Sequence, residues 1–135
     1  MSEQPRGRTR DRGQAAIEYL GFLPILLLVG LAGLQLGVAA YAAQQAGTAA
    51  RAAARAASSD AEDGPTATAA GKAAVSGWIA DRTQIEPHSG GGEVTVIAIV
   101  TIPSVMPFVD DFGTVRKTAT MPLPESPESP EEDLP

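Results

Sequence analysis

One run of residues limits this chain more than any other. From Ala15 to Ala43 the only strongly polar side chains are Glu18 and Gln35. The stretch IEYLGFLPILLLVGLAGLQLGVAAYAA is longer than the roughly 20 residues a helix needs to cross a bilayer. A buried core helix of that composition would need apolar cover on all sides. With 135 residues in all, the chain has no second element able to provide it. The segment therefore predicts a single-pass transmembrane helix, with Pro24 locally kinking it near its start. Beyond Ala43, QQAGTAARAAARAASS is dominated by alanine, the best helix former. The helix is expected to run unbroken from about Gln14 to about Ser58 and to project into water, until Asp60-Ala-Glu-Asp-Gly-Pro65 stops it.

Charge is distributed around this helix unevenly. Arg6, Arg8, Arg10 and Arg12 precede it, residues 60–121 carry twice as many acids as bases, and 122–135 hold acids and prolines with no base. The net charge is -6. Positive charge flanking the entry to a membrane helix predicts a cytoplasmic N-terminus and an extracytoplasmic C-terminal part. The domain reading is a basic cytoplasmic leader at 1–13, a transmembrane and extended helix at 14–59, a small extracytoplasmic α+β segment at 60–121 and an acidic, Pro-rich tail at 122–135. Leader and tail have too little apolar surface to offset ordering and read as disordered.

The fold class expected is an α+β membrane protein. Residues 66–82 predict one short amphipathic helix, with Thr66 as N-cap and Ala67, Ala70, Ala74, Val75, Trp78 and Ile79 on one stripe. Glu86-Pro-His-Ser-Gly-Gly-Gly92 reads as a flexible connection, Glu93–Ile102 as the strongest strand, and 113–121 as a second strand antiparallel to it. Two strands are marginal alone and must lean on a helix, a membrane surface or another chain.

Chemistry-bearing constellations are scarce. No cysteine is present, which removes thiol catalysis and disulfides, and one histidine, His88, makes neither a zinc site nor a triad. Gly90-Gly91-Gly92 precedes a strand, unlike a phosphate loop. The acidic outer segment disfavours nucleic acid. The chain reads as a non-enzyme, with no cofactor, metal or small-molecule substrate.

The informative residues lie where leader meets helix: Arg12-Gly13-Gln14-Ala15-Ala16-Ile17-Glu18-Tyr19. A carboxylate in a membrane helix costs ~2.5–3.5 kcal/mol at its centre and less near an interface. Two readings of Glu18 stay open: a headgroup-level residue, or a residue with a cationic partner in the membrane. Gly33-x-x-x-Gly37 adds a small-residue face of the kind that lets membrane helices approach closely.

Gly13, with Glu18 and Tyr19 at the fifth and sixth positions after it, resembles the type IV prepilin cleavage signature in its tight-adherence (Flp) form. The wider pattern RGQAAIEYLGFLPILLLVGLAGLQLGVAAYAAQQAGTAARAAARAAS resembles TadE/TadG-like pilus assembly proteins, and residues 93–121 resemble them loosely. The resemblance implies a pseudopilin-like minor component. A prepilin peptidase would cut between Gly13 and Gln14. Glu18, with Tyr19 beside it, would neutralise the new amine of Gln14 and set subunit register, and Gly33 and Gly37 would pack helices. The implied partners are the membrane, other pilin-like subunits and the pilus assembly machinery. The alternative is an uncleaved single-pass protein whose outer segment binds a partner.

Overall fold

The computed structural model describes residues 8–59 and 61–125. The elements are α1 (Arg8–Ala57), α2 (Ala67–Ala73), α3 (Gly77–Ala80), β1 (Thr83–Gly90), β2 (Glu93–Pro103) and β3 (Asp111–Pro122). The strands form one antiparallel sheet in the order β1-β2-β3, packed on the C-terminal half of α1.

α1 is a single 50-residue helix with Pro24 inside it. It begins at Arg8, so residues 8–13 of the expected leader are helical. The disorder expected for 1–7 and 126–135 concerns residues outside those described. The helix has two characters. Ile17, Tyr19, Leu20, Phe22, Leu23 and the leucines up to Leu28 are 54–75 % exposed. From Gln35 onward one stripe is buried: Gln35, Ala42, Ala46, Ala49, Ala50, Ala53 and Ala54. That spacing keeps one face of a 3.6-residue helix toward the sheet. Alanine there lets backbone and sheet approach closely.

β2 supplies the other side of this interface through Val94, Val96, Ala98, Val100 and Ile102. Val94 and Val96 cluster with Ala53 and Ala54, Ala98 with Ala49 and Ala50, and Val100 and Ile102 with Ala42 and Ala46. β2 therefore runs back along α1 toward its apolar half. The opposite face of the sheet is polar at its edges, with Gln84, Glu86 and His88 on β1 and Arg116 and Thr118 on β3 all exposed.

Three expectations need correction. The sheet has three strands rather than two, because Glu86–Gly90 belongs to β1 rather than to a flexible connection. Pro87 is tolerated there because β1 is an edge strand, where a missing N–H can face outward. Gly91 and Gly92 have φ of 63° and 79° and close the β1–β2 hairpin as a two-residue turn. Positive φ at both central positions is what such a turn requires. The helix expected over 66–82 is two short pieces. Thr66 does cap α2, its Oγ1 accepting from the Ala69 N–H at 3.2 Å. The break before α3 carries Ser76 as a second N-cap residue without a side-chain cap bond. Lastly, Leu123 of the expected tail is half-buried against the Ala53–Val94 cluster, and its N–H donates to Gly92 O at 2.8 Å.

Candidate functional site

The residues singled out at the N-terminus all lie on α1. The Gly13–Gln14 peptide is inside the helix, and a Cβ on Gly13 would meet nothing within 4 Å. Gln14 and Glu18 are one turn apart on the same face, the spacing at which side chains become neighbours. Glu18 is exposed and shares a shallow concave surface with Ala15, Tyr19 and Phe22. The arrangement leaves the carboxylate available to a group that is not part of this chain's sheet or its short helices.

Gly33 and Gly37 stand two residues to either side of Gln35. At 3.6 residues per turn both lie about 160° around the helix from it. Gln35 faces the sheet, so the glycines face away, and a Cβ at either position would meet no atom within 4 Å. The fold thus uses one side of α1 for the sheet and leaves the small-residue side open.

Gln35 itself had no assigned role in the sequence. It is 1 % exposed. Its Nε2 donates to Pro103 O at 3.1 Å, and its Oε1 accepts from the Val105 N–H at 2.8 Å. One amide side chain on the helix thereby pairs a donor and an acceptor of the β2–β3 loop. A lone Gln in an otherwise apolar run was the available signal, since a polar group there needs partners. Six residues on, Tyr41 stacks on Trp78 with centroids 5.8 Å apart and planes at 16°. The Tyr41 hydroxyl lies 3.2 Å from Ser76 Oγ. This pair fixes α3 against α1. Trp78 packs on Tyr41, yet remains 43 % exposed.

Farther along the helix, Ala43, Gln44, Gly47, Thr48, Arg51 and Lys117 line a shallow open groove between α1 and β3. Among the described residues no cluster of metal-ligating side chains is present.

Residues 13–55 match the family model described as TadE-like protein. The match covers the Gly13–Tyr19 start, the apolar helix and most of its alanine-rich extension. Over this stretch it bears out the resemblance to TadE-like pilus assembly proteins. No curated protein and no solved structure matches the chain.

Proposed function

We propose that this protein is a pseudopilin-like minor component of a tight-adherence pilus assembly, held in the membrane by α1 and acting without catalysis. The observation that carries the reading is the division of α1. Within this TadE-like helix, the first half exposes apolar side chains on every side, and the second half is the spine of the α+β segment. Exposed leucines, with Ile17, Tyr19 and Phe22, over such a length would be strongly unfavourable in water, at about 1.5–3 kcal/mol per large side chain. Lipid or neighbouring helices remove that cost.

In this reading a prepilin peptidase cleaves between Gly13 and Gln14. The new ammonium of Gln14 then lies one helical turn from Glu18, close enough for either intrachain neutralisation or exchange with a neighbouring subunit. Gly33 and Gly37, open on the side away from the sheet, let the helix of another pilin-like subunit approach. The protein's partners are other pilin-like subunits and the assembly machinery, with no nucleic acid and no small-molecule substrate.

A second reading keeps the chain uncleaved, as a membrane anchor whose outer segment binds a partner. It is favoured by the course of α1 through Gly13 without interruption from Arg8. The two readings separate at the mature N-terminus. Edman or mass-spectrometric sequencing of protein from native membranes should give a chain starting at Gln14, and Gly13→Val should block that processing. Glu18→Gln should insert normally yet recover several-fold fewer pilin-like partners on co-purification. A wild-type chain retaining residues 2–13, together with undiminished partner recovery by Glu18→Gln, would sink the pseudopilin reading.

A further inference from the structure

The β2–β3 loop is the most exposed apolar feature of the outer segment. Phe108 is fully exposed, and Val109 and Phe112 are 44 % and 47 % exposed. Val105, Met106 and Pro107 complete the apolar tip. Phe108 has φ of 71°, a left-handed conformation rare for a bulky residue. Strain of this kind persists only where the surroundings impose it. Here the loop is closed by the Ser104 N–H donating to Asp110 O at 3.4 Å, and by Ser104 Oγ accepting from the Met106 N–H at 3.1 Å. The loop is built to turn an aromatic ring outward.

Its height along α1 is fixed by Gln35. About 20 helical residues cross a hydrocarbon core of ~30 Å, and counted from Ala15 that length ends at Gln35. The two Gln35 hydrogen bonds hold Pro103 and Val105 at this level. The stacked Tyr41–Trp78 pair stands about 9 Å farther out, at 1.5 Å per residue. Partly exposed Tyr and Trp are the residues favoured at headgroup level. Asp110 O accepts from the Ser104 N–H and Asp111 pairs with Pro103, so these two exposed acids stand at the Gln35 level, above the apolar tip.

We propose that the Val105–Val109 loop dips into the outer leaflet of the bilayer that α1 spans, as a second and shallow membrane contact. This rests on the membrane-anchored reading of α1. The occupant is lipid rather than a protein, because the loop is continuous in height with the lipid-exposed half of α1 and is clamped there by a residue of α1 itself. The contact holds the sheet against the membrane surface beside the helix.

The absence of cysteine makes a direct test simple. Full-length variants Leu27→Cys, Phe108→Cys and Ser89→Cys are each labelled with a nitroxide. They are reconstituted at low protein-to-lipid ratio in phosphatidylcholine vesicles containing phosphatidylglycerol. Collision rates are read with oxygen, which partitions into lipid, and with a nickel chelate, which stays in water. Leu27 should favour oxygen strongly, and Ser89, at the far end of the sheet, should favour nickel. Phe108 should show an oxygen-to-nickel ratio at least several-fold above Ser89 and below Leu27. A Phe108 ratio equal to that of Ser89, with Leu27 in lipid, overturns the loop contact and spares the anchor. Leu27 in water overturns both. Protection of Phe108 from both reagents places protein on the loop, a second copy being the only one present, and also overturns the proposal.

Discussion

At Gly71 the absence of a side chain lets α2 lie directly on α1. A Cβ there would meet Ile85 Cδ1 at 3.0 Å, Ala49 O at 3.1 Å and Ala53 Cβ at 3.2 Å. The isoleucine tip could yield, but the carbonyl of Ala49 belongs to the helix and could not. Gly71→Val should therefore cost about 1–3 kcal/mol, as overpacking does. The check is a thermal melt of the protein in detergent, where it should unfold several degrees lower while Gly77→Val, with open space around it, shifts less. Gln35→Leu removes both partners of the loop at once. The Val105 N–H and Pro103 C=O are then orphaned, at about 1–3 kcal/mol if they stay buried. Hydrogen exchange at the Val105 amide should accelerate by at least tenfold, and unchanged exchange would mean the loop is held by something else. Of these residues, Gln35 stood out in the sequence as a polar group in an apolar run, but its partners lie about seventy positions away and were not legible. Gly71 carried no mark at all. Its need for smallness arises from a helix crossing that no local pattern encodes.

Among the elements, the strand pattern of Glu93–Pro103 and the continuity of the long helix were legible because each rests on local periodicity and propensity. β1 was hidden because Pro87, His88 and the glycines after it carry turn chemistry, and only pairing with β2 makes them a strand. Sequence composition likewise drew the tail boundary at Pro122, but Leu123 is tied into the sheet by Gly92 O and by the cluster around Ala53. Cutting the chain after Glu125 should leave the melting temperature unchanged. Cutting after Met121 should lower it, since about 1 kcal/mol of apolar burial and one backbone hydrogen bond are lost. Equal melting of the two truncated proteins would show that Leu123 contributes nothing. The same comparison can be made for membrane abundance, which the cut after Glu125 should preserve.

For the whole molecule, the membrane-anchored reading together with the arginines before the apolar run predicts a cytoplasmic N-terminus. Protease added to intact cells stripped of their wall should digest a C-terminal tag and spare an N-terminal one. A protected C-terminal tag beside a digested external control would reverse the topology. The candidate assembly residues Gly13, Gln14, Glu18 and Tyr19 were proposed from one short stretch of sequence, whereas the open side of Gly33 and Gly37 became visible only once the sheet was placed on the other side. That placement has a mechanical consequence. No linker separates the apolar half of α1 from the half that bears the sheet, since both are one unbroken rod. The outer segment therefore has no azimuth of its own. Any torque that turns the rod within its neighbours swings the sheet through the same angle, and a shift of register by one residue between packed helices would re-aim it by about 100°. On the membrane-anchored reading proposed above, which surface this protein shows to the outside is thus decided inside the bilayer, by whichever side of the rod its neighbours grip.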